Sequence, residues 1–391
     1  MGRLSFPSPK ILTGPRYKSG VKSASSTVAD TAARPARKGV ASLDVLRFLA
    51  ASFILLFHYG SNAPVSLDRL MPLFSQGWLA TDFFLFLSGY VLSRAYGERL
   101  MASHMRRTHF FLRRFARLWP SHILVLLAFG AFVVASSLAG FAPAHADKYG
   151  GLAFFAQAFL VHGWGILAAP AWNVPTWTIS ALLICYALFS LYLPLIYRRS
   201  IVAMAALALA VIVAAHLLAL TLAHHAFVDL PFAWGLLRAI PLFILGNLIE
   251  RMTANLRVGK TTFWVSLFAA FAGVAVCAQL PRNPGIDTAI LLMLAVVLAV
   301  SGAVSFRESP ATWRMGRASF ALFLTHSLVG AVWFGISPKL VGHFGLGLPA
   351  QWGLWLAGVL VAILVAFLFD ALVDKPLSER VSKLSFVKGG V

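Results

Sequence analysis

Apolar stretches long enough to cross a bilayer recur along this chain almost without interruption. They run at about 42–59, 76–94, 118–138, 176–197, 201–222, 233–250, 261–279, 286–304, 317–336 and 350–373. A helix needs about 20 predominantly apolar residues to span the hydrocarbon core, and it satisfies its own backbone where no water can. Hydrophobic residues make up 59% of the 391 and charged residues only 12%. No soluble domain could hide that much apolar surface. The sequence therefore predicts an all-α integral membrane protein, a bundle of about ten transmembrane helices. No internal repeat and no soluble extra domain interrupts the series.

The formal charge of +20 would suit a nucleic-acid partner if the basic residues shared one face. They alternate with apolar spans instead, so no nucleic acid is expected, and the positive-inside rule explains them better. Arg94, Arg99, Arg106, Arg107, Arg113, Arg114 and Arg117 follow the second span, and Arg198 and Arg199 the fourth. Arg251, Arg257 and Lys260 follow the sixth, Arg307, Arg314 and Arg317 the eighth, and Lys375, Arg380, Lys383 and Lys388 the tenth. The other loops hold little beyond Arg69, Lys148, Arg282 and Lys339. Both termini are thus predicted cytoplasmic. Residues 1–40, rich in Ser, Pro, Lys and Arg without an apolar period, read as a disordered basic cytoplasmic tail. They lack the apolar core of a secretory signal. Residues 41–380 read as the transmembrane domain and 381–391 as a short cytoplasmic tail. The long loop 139–175 is expected outside. Its stretch GLAFFAQAFLVHGWGI is too short for a span and reads as a helix lying on the membrane or dipping into it. Cys185 and Cys277 sit in separate apolar stretches as small core residues, and no metal-ligand spacing exists.

Arg47 and His58 lie eleven positions apart in the first span. That is three helical turns, about 16 Å along the axis, so the two share one face. Ionisable groups inside a span are costly and point to a functional site facing the protein interior. The plainer readings are an Arg47 that snorkels to the interface and a His58 at the outer helix end. Asp44, three residues before Arg47, can pair with it or serve as a charge at the helix start. In the second span Asp82 either orients or charges a cation, such as His58 or an arginine, or forms a structural ion pair. Ser88 and Gly89 make a small-residue notch for another helix. Arg113, Arg114 and Arg117, within five residues, suit phosphate groups through forked hydrogen bonds, although topology alone asks for some of that charge. Ser319 and His326 are seven apart in the ninth span, nearly on one face, and Arg238 in the sixth is a further buried-charge candidate.

Several stretches occur in an order that resembles the membrane acyltransferase-3 family. They are Arg47–His58, DFFLFLSGY from Asp82, RRFARLWP from Arg113 and NVPTWTIS from Asn173, then RAIPLFILGN from Arg238, GRASFALFLTH from Gly316 and DKP from Asp374. The resemblance covers about residues 41–380. It implies transfer of an acyl group, commonly acetyl, from cytoplasmic acyl-CoA to a hydroxyl of a saccharide or lipid-linked glycan on the extracytoplasmic side. The membrane would be the bacterial inner membrane, with its lipid as surroundings and no metal. His58 would be general base or nucleophile, with Asp82 and His326 beside it in the catalytic group. Arg47 would bind the donor or stabilise the thioester oxygen, and Arg113, Arg114 and Arg117 would hold the coenzyme A phosphates. Two departures stand out. Leu182 occupies the place where the family commonly carries a Glu, and Asp374 replaces the Glu of its final Glu-Lys-Pro. A transporter would use the same buried charges as a substrate pathway. No paired halves of broken helices are visible to favour it.

The topology is testable. Single cysteines placed in 104–109 and 253–258 are expected to be shielded from impermeant thiol reagents in intact cells, and those in 61–66 and 143–148 to be labelled. The reverse pattern would invert the protein.

Overall fold

The computed structural model describes residues 37–38, 40–141, 146–281 and 283–384. The expected tail 1–40 lies outside these residues except for Arg37, Lys38 and Val40, and the tail 381–391 lies outside them from 385 onward.

Thirteen helices run through the described residues. They are α1 Val40–Gly60, α2 Leu67–Leu70, α3 Trp78–Met101, α4 Arg107–Leu138, α5 Gly151–Ala158, α6 Trp177–Tyr197 and α7 Ile201–Leu218. There follow α8 Gly235–Thr253, α9 Lys260–Cys277, α10 Pro284–Ala303, α11 Pro310–Phe344, α12 Leu348–Phe369 and α13 Lys375–Ser382. Strands β1 (Arg37–Lys38) and β2 (Ser305–Phe306) form a single antiparallel pair. Nine segments among the described residues are long and apolar enough to cross a membrane. The second expected span falls on the 24-residue α3, which is not among the nine and carries Asp82, Arg94, Glu98 and Arg99. The protein is an all-α membrane bundle.

Helices α4 and α11 begin well before their predicted spans, for physical reasons. The third span was expected from 118, yet α4 begins at Arg107 and carries the basic segment as its first turns. Phe110 anchors that extension: it is fully buried, with its ring 5.3 Å from Tyr96 and 5.6 Å from Phe189. Helix α11 begins at Pro310, seven residues before the expected 317. A capping box starts it: Ser309 Oγ accepts from the Thr312 amide at 3.1 Å, and Thr312 Oγ1 accepts from the Ser309 amide at 3.0 Å. Proline stands at the first helical position, where no amide hydrogen is needed. Caps satisfy backbone groups whatever the hydropathy, so an apolar window alone misses them.

The long connection between α4 and α6 enters the bundle. Gln157, His162, Asn173 and Thr176 are fully buried in it. Several of its polar groups are met by neighbouring helices, as irregular backbone within a bundle requires. His122 Nε2 of α4 donates to the Gln157 carbonyl at 2.8 Å, and Ser180 Oγ of α6 donates to the Leu160 carbonyl at 2.7 Å. Asn173 Nδ2 donates to the Leu324 carbonyl of α11 at 2.8 Å.

Apolar side chains such as Leu209 on α7, Phe268 on α9 and Leu364 on α12 face outward, while most buried charges face inward. That arrangement suits lipid surroundings. A close helix crossing joins α3 and α8, where the Ser88–Gly89 notch meets Gly246. A Cβ on Gly89 would overlap the Phe243 carbonyl oxygen, and one on Gly246 the Phe86 carbonyl oxygen. Small residues allow this approach where lipid supplies no hydrophobic drive.

Gly89→Ala and Gly246→Ala are each expected to cost about 1–3 kcal/mol through overpacking. Thermal unfolding of the detergent-solubilised protein reads this. Gly353→Ala, where a Cβ meets nothing within 4 Å, leaves the midpoint in place.

Candidate active site

The site starts from the contact of α1 with α11, which run parallel. Asp44 lies on Gly316 near the start of both helices, and Tyr59 lies on Gly330 near the other end of the contact. A Cβ on Gly330 would fall 2.6 Å from Tyr59 Cε1. The two glycines are fourteen residues apart, nearly four turns, so they mark one face of α11. Ser319, Phe323 and His326 follow Gly316 at three-four spacing on the same seam.

This seam brings His58 and His326 together, with ring centroids 5.3 Å apart. His326 is fully buried and His58 half-buried. The Nδ1 of His326 lies 2.9 Å from the Leu322 carbonyl. A carbonyl only accepts, so Nδ1 carries the hydrogen and Nε2 presents its lone pair. That Nε2 is buried without a hydrogen-bond partner among the described residues. Tyr59 fixes the backbone here: its hydroxyl donates to the His326 carbonyl at 2.7 Å, and its own carbonyl accepts from Trp355 Nε1 at 2.9 Å.

A cavity of about 420 Å³ runs between α1, α3, α4, α6 and α11. Arg47, Arg114, Arg117, Arg317 and Asp44 line it toward the end of the bundle where α1, α4 and α11 begin. Phe84, Leu85, Ile179, Leu182 and Phe323 line it deeper in. Leu182, where the resemblance led one to expect an acid, therefore faces the cavity as an apolar wall. Phe323 is the last α11 residue to border the cavity, and its ring lies 6.4 Å from that of His326.

The four arginines divide into two kinds. Arg117 forms a forked pair with Asp374 at 2.8 and 2.7 Å, and Ser121 Oγ donates to the same carboxylate at 2.6 Å. Arg317 forks onto Asp370 at 3.1 and 2.9 Å. Both aspartates sit in a π-helical turn, Asp370–Asp374, between α12 and α13. Such turns re-phase a helix and recur at functional sites. Arg47 and Arg114 are held more loosely. Arg47 Nη1 is 3.6 Å from Asp44 Oδ1, and Arg114 meets the Tyr96 hydroxyl at 3.2 Å with its guanidinium over the Tyr96 ring. Arg114 Nε has no partner among the described residues.

The remaining expected residues lie elsewhere. Asp82 pairs with Arg238 of α8 at 2.7 Å, with the aspartate fully buried. Breaking one side of such a pair costs about 3–5 kcal/mol, which gives it a structural role of its own. Arg113 does not border the main cavity. It faces a smaller depression of about 140 Å³ shared with Arg114, Ser378 and Ser382. Among the described residues no three of His, Cys, Asp and Glu group to hold a metal. The sequence alone did not single out Arg317, Asp370 or Asn173 as site groups. The arginine counted only toward topology, and its partner Asp370 lay inside an expected apolar span.

Comparison with known proteins matches residues 40–371 to an acyltransferase domain. Over 150 residues the chain is 29% identical to "Protein 2 in picA locus" of Rhizobium radiobacter, covering 34% of this chain and 73% of that protein. No solved structure matches. The domain match spans most of the chain, including Arg47, His58, the arginine-rimmed cavity and His326, and the chain belongs to the membrane acyltransferase-3 family.

Proposed function

We propose that this protein is an integral-membrane O-acyltransferase. It takes an acyl group from acyl-CoA at the cytoplasmic, arginine-rimmed end and gives it to a hydroxyl of a saccharide or lipid-linked glycan reached from the other side. The observation that carries this reading is a cavity, cationic at its mouth and mostly apolar deeper in, whose lining residue Phe323 lies beside His326 of the His58–His326 pair. Phosphates of the donor would sit at the mouth. Forked guanidinium groups suit them, and Arg47 and Arg114 are the arginines least committed to carboxylates. Arg113 in the adjoining depression would extend the same patch. Arg117 and Arg317 shape the mouth while their aspartates limit its charge.

At the inner end the acceptor hydroxyl gives its proton to an imidazole of the His58–His326 pair. The oxygen then attacks the thioester carbonyl, the C–O bond forms and the C–S bond breaks. The departing thiolate takes up the proton, so no proton is gained or lost overall. His326 is suited to this role by its fixed Nδ1–H and its free Nε2 lone pair. Half-buried His58 stands beside it. The polar connection carrying Gln157, His162 and Asn173 is tied to α11 two residues before His326.

The test traces label from acyl-CoA into surface or lipid-linked glycan. His58→Ala and His326→Ala are each expected to leave about one per cent of transfer or less, since acid–base catalysis is typically worth 10²–10⁴-fold. The double variant is expected to be no worse than the weaker single, because the pair acts as a unit. Arg47→Gln and Arg114→Gln each weaken acetyl-CoA binding by about 1.5–3 kcal/mol in calorimetric titration. Full transfer in either histidine variant would overturn this mechanism. A flux through vesicles lacking acyl-CoA that changes in His58→Ala would favour a transporter.

A further inference from the structure

The imidazole of His326 is tied to its own helix, since Nδ1–H donates to the Leu322 carbonyl at 2.9 Å. Where the ring points therefore follows the rotation of α11. Two side chains from other elements hold that rotation. Tyr59 of α1, the residue next to His58, donates its hydroxyl to the His326 carbonyl at 2.7 Å. Asn173, in the connection before α6, donates from Nδ2 to the Leu324 carbonyl at 2.8 Å. A helical carbonyl keeps a second lone pair beside its ladder bond, so both contacts add to the helix without breaking it. Leu324 and His326 are two residues apart, about 200° around the axis, so the contacts fall on nearly opposite sides. Both donors are themselves fixed. Tyr59 is buried, its ring lies edge-on to Phe334 at 4.8 Å, and its carbonyl accepts from Trp355 of α12. Asn173 is fully buried. Its carbonyl accepts from Thr176 Oγ1 at 2.7 Å, and its amide donates to Gln157 Oε1 at 3.3 Å.

We infer that Tyr59 and Asn173 are positioning residues for the reaction: they grip α11 from two sides and set the rotation at which His326 meets His58. The inference rests on the acyl-transfer reading above and gives the NVPTWTIS segment a task in it. The Tyr59 bond joins the neighbour of one histidine to the backbone of the other. It therefore bears directly on the 5.3 Å between their rings. Side chains end about 5–6 Å from a helix axis, so a turn of about 10° moves the imidazole by about 1 Å. A misplacement of about 1 Å can cost about 10²-fold in rate. Loss of either donor leaves the carbonyl its ladder bond, so no buried acceptor is orphaned and the bundle keeps its fold.

Two variants remove the donors with little change of shape. Tyr59→Phe keeps the ring on Gly330, and Asn173→Leu keeps about the same volume. Membranes carrying each variant are incubated with radiolabelled acetyl-CoA, and alkali-labile ester label is counted. The maximal rate is expressed per acetyl-CoA site, counted by equilibrium binding to the same membranes. Each variant is expected to lower that rate by about 10–100-fold while KM for acetyl-CoA stays within about twofold. Both are then repeated in a His326→Ala background. Neither should lower the residual rate further, because the imidazole they position is gone. A purely structural defect would instead multiply into both backgrounds. An equal fold loss with and without His326, or a full rate in both variants, would remove the positioning role and leave acyl transfer standing. A wild type that transfers no label would remove the acyl-transfer reading itself.

Discussion

The contact between α1 and α11 sets the geometry on which the cavity and the histidine pair depend. In lipid, helices gain little from burying apolar surface, so close association depends on shape. Gly316 and Gly330 supply that shape at the two ends of one seam, admitting Asp44 and Tyr59. Between them the helices hold parallel register. His58 then meets His326, while Arg47 and Arg317 reach the same cavity from neighbouring helices. A larger residue at either glycine would tilt the pair and separate both sets of side chains. Packing here thus decides chemistry as much as stability.

Charge compensation is the second constraint, and it is uneven along the cavity. Deep in the bundle Asp82 and Arg238 neutralise one another at 2.7 Å. At the mouth, Arg117 and Arg317 are matched by Asp374 and Asp370 through forked bonds. Among the described residues, Arg114 meets a tyrosine hydroxyl and ring, and Arg47 makes a long contact to Asp44. A half-buried guanidinium without a closely matched carboxylate is costly unless an anion arrives. The loosely held pair therefore marks where an anionic ligand would gain most, and the matched pair keeps the mouth tolerable without one.

Much of the fold was legible because the membrane is a simple solvent. Apolar length gave the spans. The Arg47–His58 face followed from helical period, and the small notch at Ser88–Gly89 foretold a close neighbour. The rest depended on facts that no local window holds. His326 could be flagged as an intramembrane histidine, but its proximity to His58 depends on which helices pack. The three arginines 113, 114 and 117 read as one cluster, yet helix geometry turns Arg113 away from the main cavity and commits Arg117 to Asp374. Asp374 stood out only as a mild departure from a family motif. Its role depends on a π-helical turn that hydropathy does not reveal. Leu182 was legible as a departure, but only its place on the cavity wall gives that departure a physical meaning.

The choice of histidine for the inner end comes from the same economy of charge. His326 is ringed by aromatic and aliphatic groups, and its Nε2 has no partner among the described residues. A lysine or carboxylate there would be an unpaired buried ion, which costs several kcal/mol or more. A neutral imidazole avoids that cost, because Nδ1–H is satisfied by the Leu322 carbonyl and one lone pair is left over. In the proposed transfer it would carry charge only while it holds a proton in transit, with His58 beside it. The bundle therefore places permanent charge at the mouth, where carboxylates and the phosphates of the proposed donor can meet it. It leaves the interior imidazoles without permanent charge, beside the apolar ring of Phe323.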